Sequence, residues 1–85
     1  MKYHVEWDER AEAELAAVWT AAADRDAVTA AVAWFDYRLE YVPLQLGRRR
    51  TASVNRVAWH DGLGIEFEVI EDDKRVIVQA VFAVG

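Results

Sequence analysis

Tyr3, Val5 and Trp7 alternate with His4 and Glu6, which predicts a short strand with one buried side. Asp8 follows in the N-cap position of a helix. Glu9 and Glu12 put negative charge in its first turn, where the backbone dipole favours it. Ala11, Leu15, Val18, Trp19 and Ala22 then recur at helical spacing, giving about four turns with one apolar face. Asp24-Arg25-Asp26 interrupts that face, and either aspartate can cap a second helix carrying Val28, Val32, Phe35, Leu39 and Val42. Pro43 ends it, because proline lacks an amide and turns the preceding residue away from helix. The connection is so short that the helices must fold back on each other as a hairpin. Eleven alanines between residues 11 and 33 let them approach closely.

Residues 44–50 read as a loop ending in three arginines, and the rest as strands over 52–59, 65–71 and 74–83. In the first of these Val57 and Trp59 are expected to face inward, as are Ile65, Phe67 and Val69 in the next. Joining two odd-numbered sets requires an odd loop, and His60-Asp61-Gly62-Leu63-Gly64 supplies one, with two glycines for positive φ. The following hairpin joins odd to even (Val76, Val78, Ala80, Phe82), so its loop is even, and Asp72-Asp73 between Glu71 and Lys74 suits. The predicted order is βααβββ over residues 1–85 as one domain, an α+β fold with an αα-hairpin packed on a small antiparallel sheet. The last strand departs from clean alternation. Its other face carries Ile77, Gln79, Val81 and Ala83, so either a helix or loop covers that face, or a partner does.

With 85 residues there is room for one core only, and 54% apolar residues supply it, which excludes a disordered chain. The lack of cysteine excludes a disulfide-stapled scaffold and a thiolate zinc site. No apolar run approaches a membrane span, and the opening residues carry no leader-like apolar core, so a cytoplasmic protein is expected. The net charge of −5 disfavours non-specific nucleic-acid binding. Residues 48–59, however, hold Arg48, Arg49, Arg50 and Arg56 and no acid. Those four positive charges leave −9 on the rest, and any bound anion is expected there.

Taken together, the βααβββ order and several local motifs resemble the RelE/ParE superfamily, the toxin subunits of bacterial type II toxin–antitoxin pairs. The opening strand runs straight into a helix reading Ala11-Glu12-Ala13-Glu14-Leu15 and ending at Trp19. The second helix closes on Tyr41-Val42-Pro43-Leu44 with Leu46-Gly47 behind it, similar to a turn common in these toxins. Gly62-Leu63-Gly64-Ile65-Glu66-Phe67-Glu68-Val69 and Arg75-Val76-Ile77-Val78 resemble the family's third and fourth strands. The resemblance implies a small toxin that cleaves mRNA on the ribosome or poisons DNA gyrase, and an antitoxin that lays a helix or strand across it. It also implies, for messenger-cleaving members, an arginine on the third strand, another near the end of the fourth, and a terminal Tyr or His. Here the third strand offers Gly64 or Glu66, and Gln79-Ala80-Val81-Phe82-Ala83-Val84-Gly85 holds no cation, Tyr or His.

Cleavage by 2′-hydroxyl attack needs a proton acceptor, a proton donor and cations for the phosphorane. Arg48, Arg49, Arg50 and Arg56 are the candidate cations and His60 the candidate acid or base. Against this, an arginine run is usually a solvated face. By the parity above, Arg56 lies beside Glu68 as a cross-strand ion pair. His4, His60 and Asp61 lack metal-ligand spacing, Ser53 has no histidine partner, and Gly62-x-Gly64 does not open a helix, so neither metal nor cofactor is expected. Trp7, Trp19 and Phe35 are expected in the core. Trp34, Arg38 and Tyr41 share a second stripe that either widens the core contact or forms an aromatic–arginine patch for a partner.

The resemblance, with these residues, implies a toxin-like protein acting by binding, held by a cognate antitoxin through Ile77, Gln79, Val81 and Ala83 and through Trp34, Arg38 and Tyr41. The alternative is a metal-independent endoribonuclease acting on ribosome-bound mRNA through the four arginines and His60. A third class is a detoxified interaction module, stand-alone or as a homo-oligomer.

Overall fold

A computed structural model describes residues 2–49 and 54–84. In chain order these form β1 (His4–Trp7), α1 (Glu9–Ala21), α2 (Arg25–Tyr41), a 3₁₀ turn (Pro43–Gln45), β2 (Arg48–Arg49), β3 (Asn55–His60), β4 (Leu63–Ile70) and β5 (Arg75–Ala83). Both helices start where the sequence says. Asp8 Oδ1 accepts from the Ala11 amide at 2.8 Å, and Asp24 Oδ1 from the Ala27 amide at 3.1 Å. Arg25 seals the turn between them, donating to the Trp19 and Thr20 carbonyls and lying over the Trp19 ring.

The strands make one sheet in the order β1-β5-β4-β3-β2. The α+β class and the helical hairpin stand as expected, but the sheet is mixed and not antiparallel, because β1 runs parallel to β5, with Val5 opposite Val76 and Trp7 opposite Val78. A parallel pair needs a long crossover. The whole helical hairpin and the β2–β4 meander supply it. The predicted loop at 44–50 instead contains the 3₁₀ turn and the added edge strand β2.

The second correction is one of register. The β3–β4 loop has two residues, with His60 opposite Leu63, and both Asp61 (φ 50°) and Gly62 (φ 82°) lie in the left-handed region. That is the type I′ geometry, which Asp-Gly favours because its twist matches that of the flanking strands. An even loop reverses the expected parity of β3. Ala58 is buried opposite Ile65, and Arg56 and His60 share its side. Val57 and Trp59 point to the other face, where Trp59 is 57% exposed.

A third correction lies in β5. Its pairing with β4 keeps the predicted even loop and sets Val69 opposite Val76, then slips between Glu66 and Phe67, so that Phe67 faces Val78 and Glu66 faces Ala80. Gln79 is the extra residue of a β-bulge, and beyond it the side chains change faces. Val81 is therefore core, 4% exposed, while Ala80 and Phe82 turn outward. The residues expected on one partner face (Ile77, Gln79, Val81, Ala83) do not share one.

The core lies between the helices and the inner sheet face, where Ala11, Ala31, Phe35 and Leu39 meet Ile65, Phe67, Val76, Val78 and Val81. Trp7 packs at its margin and donates from Nε1 to Asp36 Oδ1 at 2.9 Å, tying β1 to α2. Trp19, expected in the core, is 42% exposed near the turn that joins the helices, where it lines an open furrow between α1 and α2. No helix of the described residues is long and apolar enough to cross a membrane.

Candidate functional site

Three surfaces are built by this fold: the outer sheet face, the arginine-bearing β2 edge, and the outer side of the helical hairpin. The outer sheet face follows from the type I′ turn and the bulge. Trp59, Gly64 and Phe82 form one cross-strand row on β3, β4 and β5, and the Phe82 ring lies over the space that a side chain at position 64 would fill. The next rows hold Val57, Glu66 and Ala80, and then Asn55, Glu68 and Ile77. Asn55 Nδ2 donates to Glu66 Oε2 at 2.7 Å, and Gln79 Nε2 donates to Glu68 Oε1 at 3.3 Å. Arg75, at the β1 side, is engaged with Glu6 through Nε to Oε1 at 3.1 Å and Nη2 to Oε2 at 3.2 Å. The face is thus aromatic and acidic across its middle.

The arginine candidates separate. Arg48 lies opposite Val57 and so on the outer side, whereas Arg49 lies opposite Arg56; both are exposed. Arg50 lies outside the described residues, as does Ser53. Arg56 is not the cross-strand partner of Glu68, since the two-residue turn sets it opposite Phe67. Its guanidinium instead donates to the carbonyls of Leu46 (3.1 Å), Leu44 (3.1 Å) and Gly47 (3.4 Å), holding the segment that leads into β2. His60 sits four residues further along β3, about 13 Å away at the usual strand rise of about 3.3 Å per residue. There its imidazole stacks on Trp34 at a centroid distance of 3.8 Å. The structure does not bring His60 to Arg48, Arg49 or Arg56. Among the described residues no group of three or more His, Cys, Asp or Glu side chains could hold a metal ion.

The α2 stripe divides. Trp34 is half-buried between hairpin and sheet, with the Arg38 guanidinium 4.8 Å from its ring centroid, which joins it to the core margin and leaves Arg38 at the surface. Tyr41 is exposed and pairs with Tyr37 at 5.0 Å. On the opposite side of α2, Leu15, Ala16 and Trp19 of α1 face Val28 and Val32 of α2 across an open apolar furrow of about 590 Å³ rimmed by Glu12, Thr20 and Thr29. The sequence reading missed it, because both stripes were assigned to the core. The signal was available in their breadth: two helices offering ten stripe residues exceed what one side of a small sheet can cover.

No family model matches the chain, and no curated protein matches it in sequence. Solved structures do match it in backbone. A chain of the RelBE2 toxin–antitoxin complex of Mycobacterium tuberculosis matches with a TM-score of 0.81 at 17% identity, over 99% of this chain and 93% of that one. A chain of the chromosomal ParDE toxin–antitoxin system of P. aeruginosa matches at 0.72 and 17% identity, over 99% and 98%. The isolated E. coli RelE toxin matches at 0.66 and 20% identity, over 98% and 85%. At these identities the likeness is one of fold, and the fold is RelE/ParE-like.

Proposed function

We propose that this chain is the toxin member of a type II toxin–antitoxin pair, that it acts by binding its target and not by cutting RNA, and that an antitoxin holds it silent. The observation that carries the binding-only reading is the outer sheet face. A transition state for RNA cleavage gathers negative charge on a phosphorane and needs cations aimed at it. Here the middle of that face offers the Phe82 ring over Gly64, with Glu66 and Glu68 beside it. Arg75 is engaged by Glu6 and Arg56 by three carbonyls. With Arg48 only at its β2 edge, the middle of such a face suits a protein target better than a polyanion; among the targets the fold resemblance suggests, DNA gyrase fits better than ribosome-bound mRNA.

The toxin assignment is supported by the whole-chain likeness to chains of toxin–antitoxin assemblies. The apolar furrow between α1 and α2 has the form of a groove that takes one face of an amphipathic helix, and the Trp34, Arg38 and Tyr41 flank is a separate patch on the opposite side of α2. With Glu12 on the rim and a chain charge of −5, the matching antitoxin helix is basic at its edges.

The test is induced expression in a bacterial host, with and without the protein encoded by the adjacent gene. Growth arrest that the neighbour relieves, with the two proteins purifying together, is the expected result. Ala16→Trp, which fills the furrow from an exposed position, should weaken the complex about tenfold or more. Abundant soluble expression without arrest would overturn the proposal.

A further inference from the structure

β1 ends at Trp7, opposite Val78, one residue before the bulge at Gln79. Beyond that point, among the described residues, β5 has β4 on one side and no strand on the other, since β1 is its neighbour there in the sheet order. The open edge is occupied by a side chain. Glu14 of α1 reaches around the core, and its Oε1 accepts from the Val81 amide at 3.0 Å, while Oε2 lies 3.5 Å from Arg10 Nε. Backbone groups alternate in direction along a strand, so the amide of Ala83 and the carbonyls of Val81 and Ala83 point off the sheet on this same edge.

The segment behind the edge is unusual in composition. From Val76 to Val84 it holds no charge, no proline and no glycine, and one polar residue, Gln79. Edge strands are ordinarily blunted by charge, proline or shortness, because an unpaired apolar edge templates further pairing. Here the protecting charge comes from another element.

We infer that residues 81–83 of β5 form a strand-pairing site for a second copy of this chain, and that Glu14 holds it shut. The occupant follows from the symmetry of the edge. Under a two-fold axis at Phe82, Val81 of one copy lies opposite Ala83 of the other, and the two pairs exchange four backbone hydrogen bonds. The two Phe82 residues meet as a non-hydrogen-bonded pair with Cα atoms about 4.5 Å apart. Phe82 is 38% exposed and leans over Gly64 on the outer face, so the pairing buries an aromatic on each copy. A strand from an unrelated protein would find the same backbone groups but not this self-complementary row. The inference concerns a different surface from the α1–α2 furrow and does not rest on the antitoxin reading.

The test is the mass of the purified chain by sedimentation at matched concentrations. The unaltered chain and Glu14→Gln, which keeps an acceptor oxygen, should sediment as one chain, and Glu14→Ala as two. Ala83→Pro removes an edge amide, so Glu14→Ala/Ala83→Pro should return to one chain. A Glu14→Ala protein with native circular dichroism and the mass of one chain would overturn the inference, and so would a double variant that remains dimeric. If Glu14→Ala does not fold, Phe82→Cys in this otherwise cysteine-free chain carries the same test. Mild oxidation should trap a disulfide-linked dimer each time Glu14 releases the edge, because Cα atoms at that spacing are within disulfide reach. Absence of that dimer would equally overturn self-pairing.

Discussion

The imidazole of His60 lies flat on the indole of Trp34, with ring centroids 3.8 Å apart and planes 3° from parallel. Phe35 meets the same imidazole edge-on at 6.3 Å. The pair joins the last residue of β3 to the middle of α2, so the one histidine with a plausible catalytic reading is engaged as a flat packing surface. His60→Ala should destabilise the fold by about 1 kcal/mol, the scale of an aromatic pair, while leaving growth arrest intact at equal abundance. His60→Phe should recover most of the loss. Urea denaturation followed by tryptophan fluorescence measures both. Loss of arrest in a fully folded His60→Phe protein would return His60 to the chemistry.

Arg56 gives a second expectation. Its guanidinium bonds the carbonyls of Leu44, Leu46 and Gly47. Arg56→Ala should cost about 1.5–3 kcal/mol, the range for hydrogen bonds to a charged group. Arg56→Lys keeps the charge but not the fork and should cost nearly as much. Thermal unfolding reads the difference. A lysine variant as stable as the parent would mean that charge alone holds the segment.

Glycine substitutions separate two kinds of close approach. At Gly64 a methyl group would run into the Phe82 ring, a side chain that can swing away. Gly64→Ala should cost about 1 kcal/mol, and most of that should vanish in a Phe82→Ala background, a coupling that a double-mutant cycle measures. At Gly47 the obstacle is the Val57 carbonyl, and φ is +69°. Neither can yield, so Gly47→Ala should cost more than Gly64→Ala and show no coupling to Phe82.

The helical half of this fold was legible because its signals are local. Asp8, Asp24 and Pro43 act within one turn of where they stand, and the structure places the helix ends beside them. The sheet was legible in four of its five strands and their order along the chain, but not in the short edge strand β2 and less so in register. Asp61-Gly62 carried the decisive information, yet a longer loop also satisfied the two nearby glycines, and choosing it turned Val57 and Trp59 inward. The bulge at Gln79 left no local signal, since an extra residue shows only against a partner strand. That single residue decides that Val81 is core and Phe82 is surface. The parallel docking of β1 was equally hidden, because nothing in Tyr3–Trp7 specifies the direction of its neighbour. The candidate arginines were visible as a charge cluster, but the separation of Arg56 from His60 depends on register and could not be read from composition.

The outer sheet face, with Phe82 over Gly64 and Glu66 and Glu68 beside it, is the ground for reading this protein as a binder. The measurement that tests this most directly is the length of total cellular mRNA before and after tightly induced expression, taken alongside growth. The account predicts that growth stops while transcripts keep their full length. Arrest accompanied by newly cut transcripts, abolished by Arg48→Ala/Arg49→Ala/Arg50→Ala, would contradict it and establish the arginine edge as a nuclease site.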